Sequence, residues 1–492
     1  MPHVITQSCC SDASCTYACP VNCIQPTPDD PDFLLAEMLA IDPATCMDCG
    51  ACITACPVEA IKPDRALSEA ELPFLELNAS LSAARAARGG PRRILAVPPP
   101  RLAVRRGRRP PRVAVVGSGP SGLYAADEVL TIPGAEVRIY ERLAEPYGLA
   151  RFGVAPDHQR TRRISDQFAQ IRRARGLAFE LGTEVGVDIT REELLQRHDA
   201  VIYATGASTD RRLEIPGADR PGVSSATAFV AWYNGLPDAV QRCFELSHRR
   251  AVVVGNGNVG LDVARILTVD PDHLAGTDIA PAALAALRAS AVEEVVVTSR
   301  RGPDQAAFTL PELLGLASAP GVELVWDDDV DVTGTKLEWV ARLSPAARAG
   351  RRRVRLAFGV TPEAVLGLRP AQGEEAGAGA PMGAVRLRRT QNPGTTEDLE
   401  AGLLLASIGY AGVPVAGLPF DPVTHTVPHA RGRVIDPATG APLTRTYVTG
   451  WIKRGPTGFL GTNRSDSQET VRALVEDLNA GRLNHPTPEL TI

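Results

Sequence analysis

Beyond residue 56 the chain has a single cysteine, Cys243, and aromatic residues make up only 5% of the sequence. Disulfide-stapled secreted folds need cysteines in the body of the chain, so that class is excluded. No apolar run approaches the roughly 20 residues that cross a bilayer, and the N-terminal residues lack the basic and apolar regions of a signal peptide. We therefore expect a cytoplasmic protein with no membrane partner, in which Cys243 is a buried small apolar side chain.

Acidic residues are missing from residues 81–112, which hold ten arginines, whereas residues 1–80 hold two basic and twelve acidic residues. Proline and glycine interrupt the basic run, and no aromatic ring lies among the arginines for bases to stack on, so we expect no nucleic-acid partner. The basic run is typical of a solvated linker. The acidic N-terminal part is suited to dock on basic surface elsewhere in the chain.

The other nine cysteines lie in the first 56 residues, where a short motif is repeated. Residues 46–57 read CMDCGACITACP, and residues 9–20 read CCSDASCTYACP, with Asp12 in place of one cysteine. Clustered thiols in a chain without export signals indicate metal, and in such runs the last cysteine ligates the other iron–sulfur cluster. We predict a first cluster site of Cys9, Asp12, Cys15 and Cys56, and a second cluster site of Cys19, Cys46, Cys49 and Cys52.

This N-terminal part, the head, resembles bacterial two-cluster ferredoxins, and Asp12 is its main departure from them. A carboxylate is a harder and weaker ligand for cluster iron than a thiolate. The resemblance implies one [4Fe-4S] cluster at the second site, and a [3Fe-4S] or Asp12-ligated [4Fe-4S] cluster at the first. Cys10 is the alternative to Cys9 as a ligand, although Cys9 keeps the repeat spacing. Cys23 lies outside the motif and is not expected to be a ligand.

Residues 112–130, RVAVVGSGPSGLYAADEVL, predict a buried strand, a glycine turn and a helix. This pattern cradles a pyrophosphate on backbone amides at the helix N-terminus. The next strand ends in Glu141, 24 residues after Gly117, where its carboxylate can accept the ribose hydroxyls of an adenosine. The predicted nucleotide contacts in the turn are Gly117, Gly119, Pro120, Ser121 and Gly122.

The pattern restarts at residues 249–267, RRAVVVGNGNVGLDVARIL, and the predicted contacts in its glycine turn are Gly255 and Gly257. The next strand ends without an acid and is followed by Arg300 and Arg301. Arginines there can clamp a 2′-phosphate by charge-assisted hydrogen bonds, which favours NADP(H) over NAD(H). The acid of the first pattern suits the unphosphorylated ribose of FAD, so we assign FAD to the first unit and NADP(H) to the second.

Later buried strands return to the first unit, so the second unit lies inside the continuation of the first. We predict an α/β protein with two Rossmann-like dinucleotide-binding domains, preceded by a small α+β bacterial-type ferredoxin domain. Residues 366–384 are read as a surface loop. The predicted divisions are a ferredoxin domain at 1–75, a linker at 76–110, an FAD-binding domain in two parts at 111–215 and 401–492, and an NADP-binding domain at 216–400.

From about residue 110 onwards, stretches such as YGLARFGVAPDHQ and TGWIKRGPTGFLGTNRSD resemble the adrenodoxin reductase family of ferredoxin–NADP reductases. With the head, the chain is similar to the mycobacterial type of ferredoxin–reductase fusion. The resemblance adds Asn258, Val259 and Glu312 to the NADP contacts. It also implies that FAD is contacted by Leu149, Val185, Trp451, Gly458, Phe459 and Leu460.

The same resemblance implies two catalytic positions. Gly458 would lie where the nicotinamide meets the flavin. His158 would lie near the flavin edge, where it tunes the flavin or positions the nicotinamide, the alternative being a packed structural histidine. Family members often carry a second glutamate three positions after the one matching Glu312, and here that position is Gly315, which puts a proton-handling role there in doubt.

We therefore expect a ferredoxin–NADP⁺ reductase that passes electrons from NADPH to FAD, to its own clusters and to an external acceptor, a ferredoxin or a cytochrome P450-like protein. One alternative is an electron-donor subunit similar to the glutamate synthase small subunit, whose cysteine spacing differs. Another is a redox or iron sensor built on a labile first cluster, which the intact nucleotide loops disfavour. No Cys-x-x-Cys lies outside the head, which disfavours a disulfide reductase.

Overall fold

The computed structural model describes residues 2–89, 95–100, 102–343, 352–368, 377, 379–392 and 394–483. They form the predicted head followed by two Rossmann-like domains. None of the helices in these ranges combines the length and apolar character that a membrane crossing requires.

The head is a small α+β unit whose duplicated motif is also duplicated in structure. Its two short helices each follow a left-handed residue, Ala13 (φ 61°) and Gly50 (φ 74°), and each ends just before a motif cysteine. The strands pair antiparallel as His3–Ile5 with Ile61–Pro63 and as Ile24–Gln25 with Ala40–Ile41. The helices are Ser14–Ala18, Ala51–Ala55 and Pro73–Arg88, with 3₁₀ turns at Phe33–Leu35, Asp64–Ala66 and Glu69–Glu71.

The predicted boundary of the head at residue 75 falls inside the helix Pro73–Arg88. The side chain of Asn78 in this helix accepts hydrogen bonds from Ile5 N at 3.2 Å and from Ile41 N at 2.9 Å, so it links two strands of the head. Buried backbone amides need such partners. We therefore propose that the head extends to Arg88.

The first Rossmann-like domain is built on a seven-stranded sheet. Its strands, in spatial order, are His429–Ala430, Arg433–Ile435, Pro442–Val448, Ala200–Tyr203, Arg112–Val116, Glu136–Glu141 and Leu177–Leu181. The last five are parallel to one another. The helices are Pro120–Leu130, Leu149–Phe152, Gln159–Arg162, Ile164–Arg172, Arg191–Arg197, Trp451–Arg454 and Thr462–Asn479.

The second Rossmann-like domain has a six-stranded parallel sheet. Its strands, in spatial order, are Val223–Ser225, Leu403–Ala406, Arg250–Val254, Glu294–Ser299, Arg352–Phe358 and Val322–Trp326. An antiparallel sheet of Val360–Gly367, Met382–Arg389 and Thr396–Glu400 is attached, and the pair Thr209–Asp210 with Tyr410–Ala411 forms a separate ladder. The helices are Ala226–Tyr233, Asn258–Thr268, Pro271–Leu274, Pro281–Arg288, Leu310–Ala317 and Lys336–Leu343, with 3₁₀ turns at Pro237–Ala239 and Pro303–Gln305.

The structure bears on the predicted domain end at residue 400, the predicted loop at 366–384 and the predicted burial of Cys243. The strand Leu403–Ala406 pairs inside the second sheet, so we propose that the NADP-binding domain runs a few residues beyond 400. The ends of the predicted loop at 366–384 belong to strands, and most of its middle lies outside the described residues. Cys243 is exposed, so its predicted burial is wrong: it lies in a segment without helix or strand on the surface.

The head shares apolar cores with both Rossmann-like domains. Val4 and Phe74 belong to the same buried cluster as Leu313 of the second domain, and Val58 belongs to that of Leu123 of the first. Around these contacts acidic side chains of the head meet basic ones of the reductase, which confirms the predicted docking of the acidic head. The ion pairs are Asp12–Arg464, Glu37–Lys336, Glu59–Arg163, Glu71–Arg160 and Glu76–Arg342.

Candidate functional site

The glycine turn of the first domain has the shape that a pyrophosphate site needs. Gly117 has φ +101°, and a Cβ there would lie 2.6 Å from Ala204 O, so only glycine fits. A Cβ on Gly122 would overlap Gly117 O, whereas one on Gly119 would meet nothing within 4 Å. The turn is therefore packed on two sides and open at Gly119, above the N-terminus of the helix Pro120–Leu130.

The second domain repeats this arrangement. Gly255 has φ +109°, and a Cβ there would overlap the carbonyl of Ser407. A Cβ on Gly257 would meet nothing within 4 Å, and the helix Asn258–Thr268 starts at the next residue. Each domain thus presents an open backbone surface at a helix N-terminus, where anions are stabilised.

Glu141 lies beside the first turn and its side chain is buried. Its Oε2 accepts hydrogen bonds from Ser118 N (2.8 Å) and Ser118 Oγ (2.7 Å), and its Oε1 accepts one from Leu143 N at 3.0 Å. A carboxylate has about four acceptor sites. Glu141 therefore braces the turn and keeps about one acceptor site for a ribose hydroxyl.

The remaining predicted FAD contacts come from several elements of the first domain. Leu149 begins a short helix, and Val185 is buried at an isolated bridge to Ile189. Trp451 donates its indole N–H to Thr457 O at 3.0 Å, which closes the loop that carries Gly458. Asn463 and Thr462, which the sequence did not predict, fix this region: Ser121 Oγ donates to Asn463 Oδ1 at 2.8 Å, and Phe459 N donates to Thr462 Oγ1 at 3.0 Å.

Arg300 and Arg301 follow the strand Glu294–Ser299, as predicted, and both side chains are exposed. Among the described residues neither guanidinium pairs with a carboxylate, so both have free donors for a phosphate. Asn258 lies across the site and its Oδ1 accepts a hydrogen bond from Thr309 N at 2.8 Å. Thr309 is the residue before the helix Leu310–Ala317, which carries Glu312.

His158 belongs to a buried charge network that joins the two domains. Its Nε2 lies 3.0 Å from Asp262 Oδ1 and 3.4 Å from Glu312 Oε1. Arg265 is at the centre and bonds to Asp157 (2.7 and 3.0 Å), Asp262 (2.6 Å) and Glu312 (2.7 Å). His158, Asp262 and Glu312 have the donor set of a divalent cation site, but the guanidinium of Arg265 already supplies positive charge there.

The protonation of this network follows from its charges. Burial alone would lower the pKa of His158, but the carboxylates of Glu312 and Asp262 outweigh it and raise that pKa to about 10. Burial opposes ionisation of Glu312, yet His158 and Arg265 hold its pKa below the usual range. His158 is therefore a cation at neutral pH, hydrogen-bonded to anions. It cannot serve as a general base in this state.

The four predicted ligands of the second cluster site line one small cavity with Cys23 and His3. Burial, and then the neighbouring Cys46, raise the pKa of the Cys52 thiol to about 11. Such mutual repulsion between thiolates is relieved by a bound cation, so this donor set fits an iron–sulfur cluster. Cys23, which we excluded, has its Sγ 3.4 Å from that of Cys19. Cys49 is exposed, and Met47 beside it is 59% exposed.

The first cluster site is more deeply buried. Burial raises the pKa of the Cys15 thiol well above its usual value, and the neighbouring Asp12, Cys9 and Cys56 raise it further. Burial likewise raises the pKa of Asp12, against the hydrogen bond from Ser14 and the charge of Arg464. Three thiols and a carboxylate in one place fit a cluster with one weaker ligand.

The first cluster site lies directly against the predicted flavin contacts. Gly461 N donates to Cys10 O at 2.8 Å, and Gly461 immediately follows Leu460. Arg464 Nη1 donates to Ser14 Oγ at 2.9 Å and lies 3.7 Å from the Asp12 carboxylate. The helix Thr462–Asn479 therefore belongs to the first domain and also contacts the head near its N-terminus. We call the contact of the head with Gly461 and Arg464 its seat.

We expect Gly461→Ala to displace the head from this seat. A Cβ there would overlap the backbone of Asp12 and lie 2.6 Å from its Cβ, and backbone atoms cannot rotate away. Since misplacement by about 1 Å can cost about a hundredfold in rate, electron delivery from the reduced flavin to the head should slow by about tenfold to a hundredfold. Stopped-flow spectroscopy measures this step separately from flavin reduction.

The control for this variant is Gly276→Ala, because a Cβ on Gly276 would meet nothing within 4 Å. It should leave both steps unchanged. Wild-type electron delivery in Gly461→Ala would contradict the proposed seat.

The sequence did not identify several residues that join the head and the two Rossmann-like domains, because the local sequence patterns around them are weak. Asp262 and Arg265 are spaced i, i+3 on a helix, which favours a pair but not its burial. Asp157 precedes the predicted His158 in the same stretch. The head residues Gln7 and Glu37 had no local signal, because their partners lie about 300 residues away.

The two parts of the chain match separate family models. One described as pyridine nucleotide-disulphide oxidoreductase matches residues 111–277, and one described as a 4Fe-4S binding domain matches residues 39–62. Both nucleotide turns lie in the first match, and all three thiols of the 46–52 stretch lie in the second.

Individual relatives match over longer stretches. The chain is 52% identical to a probable ferredoxin/ferredoxin–NADP reductase of Mycobacterium tuberculosis over 505 residues, which cover 99% of this chain and 85% of the relative. It is 41% identical to the human mitochondrial NADPH:adrenodoxin oxidoreductase over 402 residues, 76% of this chain and 80% of the relative. The solved structure of Mycobacterium tuberculosis FprA in complex with NADPH matches with TM-score 0.69 and 40% identity, covering 77% of this chain and 88% of that one.

Proposed function

Because the chain belongs to the family of ferredoxin/ferredoxin–NADP reductases, we propose that its own residues hold NADPH, FAD and two iron–sulfur clusters in one connected series. It is an NADPH-dependent flavoprotein reductase with a ferredoxin-type head. When bound, FAD takes a hydride from NADPH and releases its electrons singly to iron–sulfur centres. The observation that carries the proposal is the seat of the first cluster site on Gly461, one residue beyond the predicted flavin contact Leu460.

Each domain has a defined task in this proposal. The turn at Gly117–Gly122, braced by Glu141, holds the pyrophosphate and ribose of FAD. The turn at Gly255–Val259 holds the pyrophosphate of NADP(H), and Arg300 and Arg301 hold its 2′-phosphate. The other FAD contacts are Leu149, Val185, Trp451, Gly458, Phe459 and Leu460, and Gly458 would lie where the nicotinamide meets the flavin.

His158 acts in this proposal as a fixed cation. Its hydrogen bonds to Asp262 and Glu312 hold the imidazole at the junction of the two domains. A cation beside the flavin edge stabilises negative charge that develops there. The proton therefore stays on His158, whereas Glu312 provides an anionic acceptor for the nucleotide.

The two cluster sites of the head differ in their exposure. The first cluster site is buried against the first domain, whereas Cys49 and Met47 of the second site are exposed. We propose that the external acceptor, a ferredoxin or a cytochrome P450-like protein, docks beside Cys49.

Stopped-flow mixing of the oxidised holoprotein with NADPH tests the function. Loss of the oxidised flavin absorbance followed by cluster reduction is the expected result. Binding of NADPH without flavin reduction would contradict the reductase and favour a redox or iron sensor.

At the first cluster site we propose a [3Fe-4S] cluster held by Cys9, Cys15 and Cys56, or a [4Fe-4S] cluster that also uses Asp12. The repeat spacing and the electrostatic coupling of Cys15 to Cys9 support Cys9 as the ligand. Cys10 packs in the core of the first domain, and its carbonyl binds Gly461.

Asp12→Cys is expected to convert the first site into a stable [4Fe-4S] site, because a thiolate is the better ligand for cluster iron. EPR of the oxidised protein should lose its three-iron signal, and iron analysis should rise by about one atom per chain as one ligand is added. The control is Asp12→Cys combined with Cys10→Ser, which keeps position 12 as the new ligand. An unchanged three-iron signal in Asp12→Cys would show that the fourth iron is limited by something other than Asp12.

A further inference from the structure

The head contributes a side chain to the NADP-binding domain. Gln7 Nε2 donates to Glu312 Oε2 at 3.5 Å. One helical turn on, a Cβ at Gly315 would overlap Nε2 and Cδ of Gln7 and lie 2.5 Å from its Oε1. The missing side chain at Gly315 therefore makes the room in which Gln7 lies.

The head also holds the start of the same helix, Leu310–Ala317. Leu310 N donates to Glu37 Oε2 at 2.7 Å, and Lys336 pairs with this carboxylate while donating to Phe308 O at 2.5 Å. Glu37 thus satisfies one of the free amides at the helix start, where an acidic group is favourable. Two head residues therefore fix this helix at its first turn and along one face.

This helix is tied to predicted contacts of the nucleotide. Asn258 Oδ1 accepts from Thr309 N immediately before the helix. Glu312 has one carboxylate oxygen, Oε1, held by Arg265 at 2.7 Å, and the other, Oε2, is the one that Gln7 reaches. Without Gln7, Oε2 loses this contact, and the carboxylate is then held through Oε1 by Arg265 and His158, about which it can turn.

We propose that Gln7 is a positioning residue for NADP(H): the docked head fixes the Glu312 carboxylate at the nicotinamide end of the nucleotide site. The inference rests on the proposed role of Glu312 in holding NADP(H). Glu312 lies 3.4 Å from His158, the predicted flavin-edge residue, so the affected end is opposite to the 2′-phosphate end at Arg300. Because coupling between two binding events is reciprocal, bound NADP(H) stabilises the docked head by the same factor.

The test is Gln7→Ala in the full-length holoprotein, titrated with NADP⁺ and separately with 2′,5′-ADP, which lacks the nicotinamide. Calorimetry gives both dissociation constants without turnover. Since one hydrogen bond contributes about 0.5–1.5 kcal/mol, the Kd for NADP⁺ should rise about two- to tenfold, and that for 2′,5′-ADP should stay unchanged. The matched control is Glu59→Ala, which removes the head contact with Arg163 in the first domain and should change neither.

A wild-type Kd for NADP⁺ in Gln7→Ala overturns the inference alone. An equal loss for 2′,5′-ADP also overturns it, because the whole domain would then be disturbed. Failure of the unmodified protein to bind NADP⁺ overturns the proposed function and this inference together.

A double-mutant cycle isolates the role of the head. Gly315→Ala pushes the flexible Gln7 side chain away from Glu312, so its loss of NADP⁺ affinity should match that of Gln7→Ala. In the Gln7→Ala background the same substitution meets no glutamine and should cost nothing more. Equal losses from Gly315→Ala in both backgrounds would show that position 315 acts without the head, and would overturn the inference.

Discussion

Replacing Arg300 and Arg301 together by alanine is expected to weaken NADPH binding by about 10²–10⁴-fold and to leave NADH binding unchanged. Each charge-assisted hydrogen bond to the 2′-phosphate contributes about 1.5–3 kcal/mol, and each 1.4 kcal/mol is about tenfold. Both side chains are exposed and carry free donors among the described residues. Steady-state kcat/KM for the two nucleotides, with flavin reduction as the readout, measures the change in selectivity.

The control removes the same charge elsewhere in the NADP-binding domain. Arg353 and Arg388 have side chains that are 51% and 39% exposed and pair with Glu323 and Glu363. The double alanine variant of these two should keep the preference for NADPH. Retention of that preference in the Arg300/Arg301 variant would place the 2′-phosphate elsewhere.

Arg265→Met is expected to lower the free energy of unfolding by about 3–5 kcal/mol at neutral pH, because it leaves three largely buried carboxylates with His158 as the one remaining cation of this network. Arg265 is only 5% exposed and pairs with Asp157, Asp262 and Glu312. Asp157 and His158 belong to the first domain and the other three to the second, so the variant also loosens the domain junction. Chemical denaturation of the holoprotein measures the loss.

The pH dependence gives this prediction a second readout. Burial raises the pKa of Asp157, but Arg265 more than compensates and lowers it, and Glu312 is lowered as well. Groups with lowered folded pKa stabilise the protein above their unfolded pKa of about 4 and lose this as pH falls. The gap between wild type and Arg265→Met should therefore shrink below about pH 4.

Arg249→Met serves as the control for Arg265→Met. The Arg249 side chain is 81% exposed and pairs with Glu293 on the surface. Its replacement should leave the free energy of unfolding almost unchanged, because substitutions on the exposed surface have small effects. A similar small change in Arg265→Met would mean that the buried network contributes little to the junction.

The sequence was informative wherever structure depends on neighbours in the chain. Both strand–turn–helix patterns, the placement of Arg300 after its strand and the duplicated cysteine motif are local, and the structure has each of them as predicted. The acidic character of the head was also evident from the composition. Docking between oppositely charged surfaces depends on the total charge of each surface as well as on individual ion pairs.

The sequence did not predict contacts between residues that are far apart along the chain. Nothing local assigns the strand Leu403–Ala406 to one parallel sheet or the other, because a buried strand reads alike in both. The proposed extension of the head past residue 75 rests on Asn78, which bonds to two strands that are distant along the chain. Burial of Arg265 follows only once three carboxylates from separate elements converge on it.

The contact between the head and Gly461 restricts how the head could be replaced by another ferredoxin domain. A Cβ on Gly461 would meet the backbone of Asp12. These backbone atoms are present whatever residue occupies position 12. No exchange of residue 12 can therefore compensate a larger residue at 461. The head is not an interchangeable module on a tether: a ferredoxin grafted in its place would have to follow the same backbone path at residues 10–12, whatever its sequence.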